Sequence, residues 1–176
     1  PPLEGCDPQA LEVAVNALRA AGVFVVASAG NDGPRCETIK DPIALYDASF
    51  TVAAVDRKGE IADFSSRGPV SVDGSGRSKP DISAPGVSVL STLPGGTYGS
   101  HDGTSMAGPH IAGVVALMWS AQPRLIGNID ATERILRETA RPAAGAAPAC
   151  NGSAANVYGA GIVDAYAAVK AALAFK

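Results

Sequence analysis

Ser105 sits in "HDGTSMAGPHIAG", residues 101–113, a stretch that also holds both histidines of the chain, His101 and His110. A serine hydroxyl becomes a nucleophile only when a base takes its proton and donors stabilise the oxyanion that forms. The segment "GTS", 103–105, ends a Gly-rich loop and opens an apolar helical pattern. Such a junction exposes the hydroxyl, lines up backbone N–H groups beside it and adds the partial positive charge of a helix start. Gly103 permits close approach by a substrate, and Thr104 stands with it on the binding side. A plain N-cap serine would account for the same three letters.

Neither histidine is well placed to be the base. His110 follows Ser105 by five residues, about 500° of helical rotation, so it faces about 140° away from it. His101 is expected on the loop rim, with nothing nearby in sequence to fix its ring. The second chemistry-bearing segment is "VVASAGNDGP", 25–34: a buried strand pattern runs into small residues, then Gly30 and Asn31. A carboxamide at the end of a core strand can present its N–H2 to a carbonyl oxygen.

"GTSMAGPHIAGVVAL" resembles the serine motif of the subtilisin-like serine peptidases, the subtilases, almost residue for residue. "VVASAGNDGP" is similar to the oxyanion-hole segment of that family, and "FSSRGP" (64–69), "KPDISAPGVSVLST" (79–92) and "YGAGIVDAYAAV" (158–169) resemble further landmarks. The resemblance implies a serine endopeptidase that works through an acyl-enzyme. Ser105 is then the nucleophile, and Asn31 and the Ser105 backbone N–H are the oxyanion donors. Ser28, Ala29 and Gly30 form one side of the S1 pocket. It implies that His110 is a buried helix residue, that Arg67 and Pro69 shape the loop near the site, and that Asp41-Pro42 lies in the pocket wall, as a cis or a trans peptide. Asp81 is either a ligand of a structural cation or a cap of the "SAPG" turn. No cofactor is implied for the chemistry, no metal-site residue is assigned, and a structural calcium is compatible with the family.

In the subtilase order the triad runs Asp, His, Ser along the chain. Only 30 residues precede Asn31 and none is histidine. Residues 1–176 therefore read as the C-terminal portion of a single peptidase domain. The general base and its orienting Asp would come from an upstream segment of the same precursor or a second chain. The opening Pro1-Pro2 suits a fragment or a processed product. A non-catalytic, subtilase-like binding or scaffold module is the alternative. An α/β-hydrolase fits poorly, because position 107 is Ala and no histidine follows His110. A sedolisin-like peptidase would place Asp where Asn31 stands, and no G-x-G-x-x-G follows a strand to support nucleotide binding.

The elements that must position these residues are legible as an α/β pattern. A helix over 8–21, stopped by Gly22, carries Leu11, Val15 and Leu18 on one face. Strands buried on both faces are predicted at "VFVVASAG" (23–30) and "SFTVAAV" (49–55). A short edge strand falls at 61–64, an exposed loop at 72–80, a strand at "VSVLSTL" and a Gly-rich loop at 94–103. The helix from Ser105 to about Ser120 is apolar nearly all round, which predicts burial. A helix follows Asp130, with Glu133 completing a capping box, and runs to about Ala140. After a loop over 141–161, Asp164 caps a last helix reaching Ala174. The expected fold is α/β, a largely parallel sheet flanked by helices in three subtilisin-like layers, incomplete in this chain.

Composition narrows the partners. With 47% apolar residues the chain can build a core, and its 20 Gly and 13 Pro predict close packing and many defined turns. A net charge of −3 with mixed signs gives no nucleic-acid surface and no polybasic membrane patch. The longest apolar run, Ile111 to Trp119, falls well short of the roughly 20 residues of a membrane span. Polypeptide substrates are the expected partners, and a secreted or extracellular setting is implied. Of the three cysteines, a Cys6–Cys36 disulfide in an oxidising compartment and free thiols are both open, with Cys150 left over.

Overall fold

Phe50, Val52 and Ala54 point to one side of a strand whose six residues are all buried, and this strand organises the molecule. The computed structural model describes residues 7–143 and 149–175. Strand β1 (Val26–Ser28), β2 (Phe50–Val55) and β3 (Ile82–Pro85) form a parallel sheet in the order β1-β2-β3. Val26 pairs with Phe50, and Val52 pairs with Ile82. Helix α1 (Glu12–Ala20) precedes β1. A hairpin of β4 (Val89–Leu93) and β5 (Thr97–His101) leads into α2 (Thr104–Ala121), followed by α3 (Ile129–Glu138), the short α4 (Ala155–Tyr158) and α5 (Ala165–Leu173).

The period-two alternation of β2 explains the layers. Phe50, Val52 and Ala54 meet Ile82 and Ala84 of β3 and the inner face of α2, where Ala107, Ile111, Val115 and Met118 are buried. On the other face, Ala27 and Ala29 pack with Val15, Ile39, Leu45, Tyr46 and Val70. The sheet is thus covered on both sides, and the α/β class read from the sequence holds.

Several elements differ from expectation for physical reasons. β1 spans three residues and is half-buried, because it forms an edge of the sheet rather than a strand covered throughout. α1 buries Val15 alone, leaving Leu11 48% and Leu18 45% exposed. Residues 61–64 form an isolated bridge, Ile61 with Val55, instead of a strand. "DISAP" yields β3, although Pro85 ends it, and the Gly-rich loop hides β5, paired antiparallel from Val89↔His101 to Leu93↔Thr97. Both signals were masked by Gly and Pro. α3 is capped by Asn128, whose side chain accepts from the Ala131 N–H, so Asp130 and Glu133 form no capping box. Glu133 pairs instead with Arg19 and Arg137. Asp164 caps α5 as expected, accepting from the Ala167 N–H at 2.9 Å.

Cys36 and Cys150 are disulfide-bonded across 114 residues of sequence. The pairing of Cys36 is therefore with Cys150, while Cys6 lies outside the described residues. Gly33–Pro34, Gly68–Pro69 and Lys79–Pro80 are cis, and Asp41–Pro42 is trans. No helix among the described residues is long and apolar enough to cross a membrane.

Candidate functional site

The C-terminal end of β1 and the N-terminal end of α2 meet where the chain has its smallest residues. Gly108 makes the approach possible: a Cβ there would lie 3.3 Å from Ser28 Oγ. Gly86 does the same for the loop before α2. A Cβ on Gly86 would come within 2.5 Å of Ala54 Cβ and 2.8 Å of the Gly103 carbonyl oxygen, while the Gly86 carbonyl accepts from the Gly103 N–H at 2.8 Å. The turn carrying Ser105 is thereby fixed to the core through backbone contact.

Asn31 is tied to that turn through its carbonyl end. Its Oδ1 accepts from the Thr104 N–H at 3.0 Å and from the Thr104 hydroxyl at 3.1 Å. The same hydroxyl accepts from the Gly30 N–H at 3.2 Å. With Oδ1 so engaged, the amide end is turned toward Gly103. A Cβ built on Gly103 would lie 3.7 Å from both Asn31 Nδ2 and the Ser105 backbone nitrogen, so two N–H donors border one point. Gly103 has φ +147°, and Met106 Sδ, at 3.6 Å, is the third neighbour of that point. Thr104 is completely buried, whereas Asn31 and Ser105 are exposed. Two fixed donors beside an exposed hydroxyl at a helix start can hold a developing oxyanion.

The sequence-predicted pocket residues divide. The half-buried Ser28 faces α2 at Gly108, and Ala29 is buried in the opposite layer. Gly30, with φ +101°, is closely packed: a Cβ there would come within 2.9 Å of the buried Ser66 Oγ and lie 3.9 Å from Asp41 Oδ2. The "FSSRGP" segment braces this wall. Ser66 N donates to the Gly30 carbonyl, Ser66 Oγ accepts from the Asp32 N–H at 3.0 Å, and the Arg67 carbonyl accepts from Thr38 N. Thr104 as the group that orients Asn31, and Ser66 as the brace of Asp32, went unassigned from sequence. Hydrogen-bond direction across 73 and 34 residues leaves no local signal.

His110 corrects an expectation. It is exposed on α2, and its Nδ1 lies 2.9 Å from the Met106 carbonyl oxygen. α2 itself is buried on one face only; Leu117 is 56% exposed on the other, where Pro109, Gly113 and Leu117 line an apolar groove that also reaches Leu90 and Ser105. The uniformly apolar sequence misled because no element among the described residues covers that face. His101 ends β5, exposed. Asp81 is no free ligand: it accepts from Lys79 Nζ at 2.6 Å, from the Thr51 N–H at 2.7 Å and from Arg137 at 2.9 Å. Nor does it cap the "SAPG" turn. Among the described residues no group of three or more His, Cys, Asp or Glu side chains could hold a metal ion.

A parallel sheet with a helix-start serine and a strand-end asparagine directed at one point is the arrangement of the subtilisin-like fold. The Subtilase family matches residues 4–161, and the chain belongs to that family. It is 44% identical over 164 residues to bacillopeptidase F of Bacillus subtilis strain 168, covering 89% of this chain and 11% of that protein. It is also 44% identical over 116 residues to subtilisin E of the same strain, covering 65% of this chain and 28% of the relative. Among solved structures, the patellamide maturation protease PatA superposes with a TM-score of 0.74 at 29% identity, covering 98% of this chain and 59% of PatA. The chain thus spans less than two thirds of the length of each of these relatives.

Proposed function

We propose that residues 1–176 are the C-terminal portion of a subtilisin-type serine endopeptidase domain. Ser105 is its nucleophile, and Asn31 Nδ2 and the Ser105 N–H are its oxyanion donors. The observation that carries this reading is the double hydrogen bond from Thr104 to Asn31 Oδ1, which leaves the amide end directed beside Gly103. In the reaction, Ser105 Oγ attacks the scissile carbonyl carbon as an upstream histidine takes its proton. The carbonyl oxygen becomes an anion held by the two donors. Collapse expels the amine, protonated by that histidine, and leaves an acyl-enzyme that water hydrolyses.

An upstream segment of the same precursor, supplying Asp and His, is the partner this reading requires. The open apolar face of α2 around Leu117 supports it, because a soluble domain seldom leaves such a face uncovered beside its site. Substrates are polypeptides. The chemistry needs no cofactor, and a structural calcium is compatible with the family. Neither nucleic acid nor membrane is a partner. The Cys36–Cys150 bond favours a secreted or extracellular location, since disulfides persist in oxidising compartments.

A fluorophosphonate probe reacts with a serine activated by an assembled triad. Treated with it, the full-length protein should be labelled at Ser105. Absence of label from protein that contains the upstream segment would leave the non-catalytic scaffold reading in its place.

A further inference from the structure

A backbone nitrogen can attack the side-chain carbonyl carbon of the residue before it and close a five-membered imide. Glycine after Asn or Asp makes this easiest, because no side chain obstructs the approach. The sequence has four such pairs: Asp32-Gly33, Asp73-Gly74, Asp102-Gly103 and Asn151-Gly152. In the first three the attacking amide is engaged. The Gly33 N–H donates to the Phe64 carbonyl at 2.8 Å, the Gly74 N–H to the Ser71 carbonyl at 3.0 Å and the Gly103 N–H to the Gly86 carbonyl at 2.8 Å. Their carboxylates are held as well, Asp32 by Lys40, Asp73 by Arg77 and Asp102 by the Ser88 N–H at 2.6 Å.

Asn151-Gly152 differs on each count. Cys150 and Ser153 exchange backbone hydrogen bonds of 3.2 and 3.1 Å across it. With φ +51° at Asn151 and +76° at Gly152, this is the two-residue turn that Asn-Gly favours. The Gly152 N–H has no backbone acceptor among the described residues. Nothing lies within 4 Å of where a Gly152 Cβ would stand, so the ring has room to form. Asn151 is exposed, and its Nδ2 makes only a long contact of 3.5 Å, to Glu37 Oε1. Its side chain is a neutral amide, which carries a leaving group that a carboxylate lacks.

We propose that Asn151 is a self-modification site, at which the Gly152 nitrogen displaces the side-chain amide as ammonia. The nitrogen loses its proton and bonds to Asn151 Cγ as the Cγ–Nδ2 bond breaks. Water then adds to one of the two imide carbonyls. Addition at Cγ restores the ordinary main chain with an aspartate at this position. Addition at the backbone carbonyl carbon routes the main chain through Cβ and Cγ, as isoaspartate. Nothing is oxidised or reduced, water is the only co-reactant, and no step depends on Ser105. The aspartate form replaces a group that donates to Glu37 with a carboxylate that repels it. The isoaspartate form lengthens the main chain between Cys150 and Ser153, and the tight turn cannot keep both of its bonds.

The test uses the full-length protein carrying Ser105→Ala, so that self-digestion cannot interfere. It is held at mildly alkaline pH, native or unfolded in guanidinium chloride, and sampled over days. Ion exchange follows the acidic form, and peptide mapping after reduction locates it. In the native protein Asn151 should convert before Asn16, Asn31, Asn128 and Asn156, giving both aspartate and isoaspartate. Folding should slow isomerisation at the three Asp-Gly pairs about tenfold or more, because a bonded amide reacts only after local opening, and should slow Asn151 much less. Asn151→Gln, which would have to close a six-membered ring, should yield no early acidic form. An unchanged Asn151 in the native protein, a folding effect there as large as at the Asp-Gly pairs, or an early acidic form that survives Asn151→Gln overturns the proposal.

Discussion

Thr104 donates twice to one atom, Asn31 Oδ1, from its backbone at 3.0 Å and from its hydroxyl at 3.1 Å. An amide anchored by both bonds cannot rotate without breaking them. The hydroxyl also accepts from the Gly30 N–H, so one buried side chain joins the pocket wall, the carboxamide and the helix start.

Thr104→Val keeps the shape and removes the hydroxyl. Asn31 then retains a single anchor, and the Gly30 N–H loses its acceptor. In the full-length protein, on the proposed reading, kcat should fall roughly tenfold with KM nearly constant, because a looser donor weakens mainly the transition state. Thr104→Ser should restore most of the rate. Steady-state kinetics on a peptide substrate decides the matter; a change confined to KM would remove Thr104 from this role.

Asn31→Ala goes further and deletes the donor. In subtilisin, a relative of this chain, loss of one such donor costs roughly 10²–10³ in kcat, a magnitude that belongs to that enzyme. The same size and the same concentration in kcat are expected here. Although Asn31 is exposed, its Oδ1 satisfies two donors of the buried Thr104, so its removal should also lower stability modestly, by about 1–3 kcal/mol. An inactive variant with a much lower Tm would point to a structural role instead.

Legibility in the sequence followed the range of the forces involved. β2 and α2 were readable because burial writes continuous apolar runs, and Asp164 was readable because a cap is local. β3 and β5 were missed where Pro85 and the glycines of 95–99 suppress strand propensity, while long-range pairing overrides it. Ser105, Gly103 and Asn31 stood out through the resemblance of their two segments to the subtilase motifs, since the letters alone suit an N-cap and a turn. The side-chain directions of Ser28 and Ala29 were not legible, since they depend on which face of β1 meets Gly108. The disulfide partner of Cys36 was equally hidden, because 114 residues of intervening chain carry no spacing rule.

The open face of α2 gives a test of assembly. Leu117 is 56% exposed in the apolar groove that extends to Ser105. Leu117→Glu places a charge where the upstream segment is proposed to pack, and burying an unpaired carboxylate is costly. Fluorophosphonate labelling should be lost in the full-length variant. Circular dichroism of residues 1–176 alone should be the same with Leu or Glu at this position. Undiminished labelling would mean that the upstream segment does not cover Leu117.

Cys36–Cys150 ties the loop after Asn31 to the segment leading into α4. Replacing both cysteines by serine frees a long loop in the unfolded chain, at a cost of about 2–4 kcal/mol. Denaturant unfolding should show a lower midpoint by that amount. Reduction of the wild-type protein should reproduce the shift, and reduction of the double-serine variant should add nothing further.

Lys79 and Asp81 offer a sharper energetic test, because the pair is nearly dry. Lys79 is 2% exposed, and its Nζ donates to Asp81 Oδ2 and to the Ser49 carbonyl, each at 2.6 Å. Lys79→Met removes the ammonium and leaves Asp81 with Arg137 and the Thr51 N–H. Breaking a buried pair from one side costs about 3–5 kcal/mol, most of it the penalty of the charge left behind. Arg137 still compensates part of the Asp81 charge, so the lower end of that range is expected. Asp81→Asn should cost at least as much, because it strands Lys79 among buried groups and weakens the Arg137 contact. If the penalty is desolvation of the survivor, the double variant Lys79→Met with Asp81→Asn loses clearly less than the sum of the two singles. Chemical denaturation of the four proteins measures that coupling directly, and strict additivity would mean that the two groups act through separate partners.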